Sequence, residues 1–136
     1  MYLLDTNVVS ELRRPKPHGG VIAWLADVAE EALFLSAVTL GELQAGIERT
    51  RRQDPEKADA IEAWVDQLAD WHQVLPMDVL AFREWARLME GKPERLIEDA
   101  MIAATARVHR LTVVTRNTRD FGSFDVPLVN PWSPRH

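Results

Sequence analysis

The chain has no cysteine among its 136 residues, which excludes disulfides, a thiol nucleophile and any zinc site built on thiolates. A bound metal must therefore be held by oxygen or imidazole. Lysine is scarce too, present only at Lys16, Lys57 and Lys92. No apolar run approaches the roughly 20 residues that cross a bilayer, and no basic and apolar leader precedes the strand-like YLLD at Tyr2 to Asp5. The expectation is a cytoplasmic chain without a membrane segment. Internal repeats, low-complexity tracts and long linkers are also missing. Residues 1–136 thus read as one domain, long enough to bury roughly two-thirds of the surface of the unfolded chain.

A strongly basic balance is absent as well: the formal net charge is −5, which by itself speaks against a phosphate-bearing partner. The charge is unevenly spread. Asp54 to Asp70 holds six acids and one lysine, so this single stretch carries the whole net charge and the remainder is neutral. Basic residues elsewhere form small groups: Arg13, Arg14 and Lys16; Arg49, Arg51 and Arg52; Arg116 and Arg119. Such groups are ordinarily solvated surface, but they leave room for a substrate that carries phosphate.

Short apolar runs alternate with stretches of helical period. Tyr2 to Leu4, Ala32 to Ser36, Gln73 to Pro76 and Leu111 to Thr115 read as strands, with Pro127 to Val129 as a final edge strand. Helices are expected over Val21 to Ala29, from near Thr39 towards Arg52, from Pro55 to about Asp70 behind an Asp54 cap, over Val79 to Met89, and from about Glu94 through Val108. RRPKPHGG is expected to be loop throughout, and Phe82, Trp85, Ala86 and Met89 to be the inward face of their helix. Short strands without alternation, separated by helices, imply right-handed crossovers and a mainly parallel sheet covered on both faces. The fold class is α/β, a three-layer α/β/α domain.

Ligands of such sheets bind beyond the carboxyl ends of the strands. Asp5 follows the first strand, Glu42 lies in the first turns of the helix after the second, and Asp99 lies near the start of the helix before LTVVT. Asn117 and Asp120 come just after that strand. Each has an ordinary alternative: Asp5 an Asx-turn, Glu42 and Asp99 a favourable helix dipole, Asn117 and Asp120 a polar turn. Their joint placement is what suggests a site. Converging carboxylates repel unless a cation neutralises them, and hard oxygen ligands suit Mg²⁺, with Mn²⁺ as substitute. The histidines, His18, His72, His109 and His136, are scattered and lie outside these stretches.

LLDTNVVSEL, SAVTLGELQAG, EDAMIAATA and TVVTRNTRDF, with NPW at Asn130 to Trp132, resemble in order and over nearly the whole chain the PIN domain, in particular the VapC and FitB type of toxin nuclease. The resemblance implies a metal-dependent ribonuclease with Asp5, Glu42 and Asp99 as the acidic centre. One departure is visible: Asn117 stands where some relatives have Asp, so either Asn117 coordinates weakly or Asp120 takes over. Thr6, Asn7 and Thr115 would bind waters of the metal or orient Asp5. Arg13, Arg14 and Arg116 are the basic groups expected to meet RNA. The resemblance further implies a homodimer restrained by a VapB-like antitoxin, which alone contacts operator DNA. Its apolar helix is expected on the Val21–Ala29 and Leu40–Arg52 helices, with a basic side chain reaching towards the acids; most of the five tryptophans are expected in the core, and one or two on helix faces as anchors for it or for the dimer. Two rivals remain: a catalytically silent binding module on the same fold, and an Asp-based phosphoryl-transfer enzyme, against which stand DTN in place of DxD and the shortage of lysine.

Overall fold

The computed structural model describes residues 1–71 and 73–133; His72 and His136 lie outside the described residues, as does the side chain of Trp71. Five strands, β1 (Tyr2–Leu4), β2 (Leu33–Ser36), β3 (Gln73–Leu75), β4 (Thr112–Val114) and β5 (Leu128–Val129), form one sheet in the order β3-β2-β1-β4-β5. All four pairings are parallel. The first strand is therefore central, with Leu4 level with both Leu35 and Val114. Seven α-helices accompany the strands among the described residues: α1 (Thr6–Glu11), α2 (Gly19–Ala26), α3 (Ala37–Arg51), α4 (Pro55–Trp71), α5 (Val79–Met89), α6 (Ile97–His109) and α7 (Thr118–Phe121).

The pleat sorts the core into two layers, because successive side chains of a strand point to opposite faces. Leu3 and Val113 face one side, with Phe34 packed beside them, and meet Ala100, Ala103 and Ala106 of α6 together with Phe121 and Phe124. Leu4, Leu35 and Val114 face the other and meet Val8, Val9 and Val21 with Leu68, flanked by Trp24 and Trp64. The three-layer α/β/α expectation holds. Helix α4, which carries the net negative charge, packs on α3 through Ile47, Ala58 and Val65. Two of its acids, Asp59 and Glu62, pair with Arg51 of α3, so part of that charge is neutralised locally.

Several boundaries differ from expectation, each for a local reason. The glycines of RRPKPHGG are not loop: His18 accepts from the N–H of Gly20 at 3.1 Å through its side chain and so starts α2 at Gly19. The same kind of cap starts α3 at Ala37, where the Ser36 hydroxyl accepts from the Val38 N–H at 3.0 Å. A 3₁₀ turn occupies Glu94–Leu96, delaying α6 to Ile97. The inward face of α5 is also rotated from that expected. Ala81 is buried, and Trp85, Leu88 and Met89 pack on the core, whereas Phe82 is 45% exposed and Ala86 is exposed. Trp85 decides the rotation, since its indole N–H donates to the Ile97 carbonyl at 3.2 Å and fixes that side of α5 against α6. Trp24, Trp64, Trp85 and Trp132 are half-buried, and the large apolar side chains most open to solvent are instead Ile22, Val79, Leu80 and Phe82, with Met1.

Candidate active site

β1 and β4 end at the same level, with Asp5 and Thr115 next in sequence, and β2 ends one residue further on at Ser36, from which α3 begins. Asp5 continues the ladder by one bond, donating its N–H to the Val114 carbonyl at 2.9 Å. Its carboxylate is only 4% exposed. One oxygen accepts from the Thr6 N–H at 2.8 Å and the other from the Thr115 hydroxyl at 2.7 Å. Asp5 thus caps α1, a helix that the sequence pattern had not distinguished from the end of the strand. The ordinary capping role is present in Asp5. Burial pushes the Asp5 carboxyl up, against the two hydrogen bonds that favour its charge.

Glu42 reaches the same end from the second turn of α3. Its Oε1 accepts from the Thr6 hydroxyl at 2.7 Å. The Thr39 hydroxyl lies 3.0 Å from that of Thr6, and because Thr6 has spent its one proton on Glu42, Thr39 is the donor. Burial raises the Glu42 carboxyl, and the charges of Asp5 and Glu98 raise it further, while the Thr6 bond opposes. Asp99, in the first turn of α6, is pushed up to about 6, first by burial and then by the charges of Asp5, Glu42, Asp120 and Glu98. The expected convergence of Asp5, Glu42 and Asp99 is present as a mutually repelling acidic cluster.

Asn117 lies between two of the acids. Its amide nitrogen donates to Asp99 Oδ2 at 3.2 Å and to Asp120 Oδ2 at 3.0 Å, and two carboxylate partners require the NH₂ rather than the carbonyl on that side. It is a bridge between acids. Asp120, on α7 where a polar turn had been expected, also meets Arg95 at 3.0 Å. The Arg95 guanidinium, and then the Asn117 amide, hold its carboxyl below the usual range, so its charge is already answered. Asn7 completes the frame: its amide nitrogen lies 3.4 Å from the Thr115 hydroxyl, and its carbonyl accepts from the Arg116 N–H at 3.4 Å. Glu98, Thr39 and Arg95 were missed in the sequence. Only Glu98 had a visible signal, as the neighbour of Asp99.

Thr115 holds the centre together. Fully buried, its hydroxyl donates to Asp5 and accepts from the Asn117 N–H at 2.9 Å. Thr115→Val strands both partners, and is expected to cost about 1–3 kcal/mol, read as a lower urea midpoint with an unchanged slope. Thr115→Ser should restore most of the loss.

The donor chemistry suits a hard cation, since the groups free to ligate are carboxylate and hydroxyl oxygens and the carboxylates outnumber the positive charges that answer them. Among the described residues, no three His, Asp or Glu side chains close into a cage by themselves. That is compatible with Mg²⁺, which keeps several waters and takes one or two carboxylates together with substrate phosphate.

The family model for the PIN domain matches residues 2–126. The chain belongs to the PIN domain family. Over 98% of its length this PIN domain is 37% identical to VapC ribonuclease Y4jK of Sinorhizobium fredii, 99% of which is covered. It is equally 37% identical to toxin FitB of Neisseria gonorrhoeae, over 97% of the chain and 99% of FitB. Two solved structures agree in shape: FitAcB from Neisseria gonorrhoeae, with a TM-score of 0.85, 36% identity and coverage of 97% and 99%, and FitAB bound to an IR36 DNA fragment, with 0.87, 34%, 100% and 99%. No helix among the described residues is long and apolar enough to cross a membrane.

Proposed function

We propose that this PIN domain, acting as one unit over residues 1–136, is a Mg²⁺-dependent endoribonuclease and the toxin of a VapBC-like type II toxin–antitoxin pair in the cytoplasm. The observation that carries the reading is the cluster of Asp5, Glu42 and Asp99 at the strand ends of a chain that aligns end to end with a VapC ribonuclease.

Asp5 and Asp99, with Glu42, are the residues that would hold the ion, and Mn²⁺ fits the same donors. The chemistry such an ion supplies is a more acidic water and a polarised phosphodiester oxygen. The rest belongs to the protein. Thr115 and the Thr6 N–H hold Asp5 from both sides, so its direction is set before substrate arrives. The Thr6 hydroxyl occupies one oxygen of Glu42 and leaves the other either to help hold the ion or to take the proton of an attacking water, the second duty being one suited to a carboxylate whose pKa is raised. Attack forms a phosphorus–oxygen bond in line with the ribose oxygen that departs. Asn117 keeps Asp99 and Asp120 in register. A histidine pair is not needed for this chemistry.

FitAcB and FitAB have complexes as their structures, which supports a small antitoxin as partner, with operator DNA reached only through it. Exposed Val79, Leu80 and Phe82 on α5 offer an apolar face for a homodimer.

Incubation of the purified chain with total RNA and mapping of new 5′ ends tests the reading. Discrete ends are expected with Mg²⁺ and none with excess chelator. Cutting that persists in chelator would overturn the metal role, and absence of cutting with Mg²⁺ or Mn²⁺ would overturn the nuclease.

A further inference from the structure

Thr39 is fully buried and takes no part in the cleavage steps above. It is the third residue of α3, whose start is already capped by the Ser36 hydroxyl, so the helix does not need it there. Helical threonines ordinarily return their hydroxyl proton to a carbonyl three or four residues back. Thr50 and Thr105 do so, donating to the carbonyls of Gly46 at 3.0 Å and Met101 at 2.9 Å. Thr39 does not. Its hydroxyl lies 3.0 Å from that of Thr6 on α1, which is 33 positions away in sequence, and has no other hydrogen-bond partner among the described residues.

A hydroxyl has one proton, and a chain of hydroxyls can pass its protons in either direction. Here the ends decide. Glu42 Oε1 takes the Thr6 proton at 2.7 Å, so the Thr39 proton goes to the Thr6 oxygen. The reverse order, with Thr6 donating to Thr39, would leave the Thr39 proton buried without an acceptor and Glu42 without its donor, a costly arrangement where water cannot substitute. The chain therefore runs one way, from Thr39 to Thr6 to Glu42. Its effect is to make the two oxygens of Glu42 unequal: Oε1 is committed to the protein, whereas Oε2 has no hydrogen-bond partner among the described residues. Thr6 also donates its N–H to Asp5 at 2.8 Å, so one residue orients two acids and Thr39 fixes the rotor of that residue from behind.

We propose that Thr39 is a positioning residue for Glu42: by donating to Thr6 it keeps the Thr6 proton on Glu42 Oε1 and reserves Oε2 for the divalent ion. The inference rests on the metal-dependent ribonuclease reading and adds to it a residue that touches neither ion nor RNA. Groups behind a ligand act on the metal by aiming that ligand, and their loss shows in metal affinity even though no coordinating atom is removed. Thr39 meets that description through a single intermediate, Thr6.

The test measures Mn²⁺ binding to the purified chain without RNA, read from the electron paramagnetic resonance signal of free Mn²⁺. Thr39→Val, which keeps the branched shape and removes the hydroxyl, is expected to weaken Mn²⁺ affinity about tenfold, and Thr39→Ser to stay within about twofold of the parent chain. In a Glu42→Gln background Thr39→Val should change the affinity no further, because the carboxylate that it aims is gone, and the same holds in a Thr6→Val background. A purely structural threonine would lower the urea midpoint and leave the affinity of the folded protein alone. Equal affinity of Thr39→Val and parent, a loss that persists undiminished in Glu42→Gln, or a Thr39→Ser chain as weak as Thr39→Val would overturn the proposal. Should Thr39→Val not fold, Thr39→Ala takes its place in every comparison. Failure of the ribonuclease reading shows separately, as a parent chain that binds Mn²⁺ and cuts no RNA; a parent chain that binds no Mn²⁺ would overturn both.

Discussion

Asp99→Asn is expected to reduce RNA cleavage by about three orders of magnitude, the worth of several kcal/mol of metal-assisted stabilisation, while making the metal-free protein more stable. The second half follows from the repulsion in the cluster. Asp99 titrates at about 6 in the folded chain against 3.8 for a free carboxyl. Between those values the folded state binds the extra proton, so stability falls as pH rises and the whole penalty is present above about pH 6. The raised carboxyls of Asp5 and Glu42 act in the same direction. Discounted for the partial exposure of Asp99, the penalty is on the order of 1–2 kcal/mol, or roughly 3–6 °C for a chain of this size.

Melting in chelator at pH 7.5 should therefore place Asp99→Asn above the parent chain, and the gap should narrow as pH falls through 6 and close only below 3.8, where Asp99 is protonated in both states. Glu62 has a lowered pKa through the Gln44 amide and then Arg51, and Glu84 and Asp120 through their Arg107 and Arg95 contacts. Their stabilisation disappears at acid pH in both proteins and cancels in the comparison. Mg²⁺ should raise the melting temperature of the parent chain and leave the variant nearly unmoved. A variant less stable than the parent in chelator at pH 7.5 would contradict the strained cluster.

Phe121→Ala is expected to have the largest effect on the fold, about 3–5 kcal/mol from lost burial and the cavity left behind, a third or more of the stability of a typical domain. Phe121 is fully buried and meets Phe124 edge to face, with centroids 6.2 Å apart. It also ends α7, the four-residue helix that carries Asp120 and follows Asn117. Loosening it should release the Asn117 bridge between Asp99 and Asp120. The expected result is a lower denaturant midpoint together with a loss of cleavage greater than the unfolded fraction explains. Phe121→Leu should recover most of the stability. A midpoint within 1 kcal/mol of the parent would show that the layer collapses around the gap.

Strands and long helices were legible because burial on both faces leaves uninterrupted apolar runs, and LTVVT and VLAFREWARLM carry their period within themselves. The acids were legible as a set because a parallel sheet aligns the residues after its strands, whatever their distance in sequence. What stayed hidden depended on contacts between such segments. Phe82 and Trp85 are both aromatic on one helix, and only the Ile97 carbonyl decides that Trp85 turns inward. That the Asn117 amide donates to both Asp99 and Asp120 shows only once α6 and α7 are packed together. Helices α1 and α7 are too short to show a period, and side-chain caps override the glycines ahead of α2.

The placement of β1 has a temporal consequence. Asp5 emerges among the first residues synthesised, but its buried partner Thr115 follows 110 residues later, and β1 pairs with β4 only once that stretch has left the ribosome. A chain in which β4 has not yet been made therefore carries Asp5 without the hydroxyl that aims it, and the centre is completed only after Thr115 is in place.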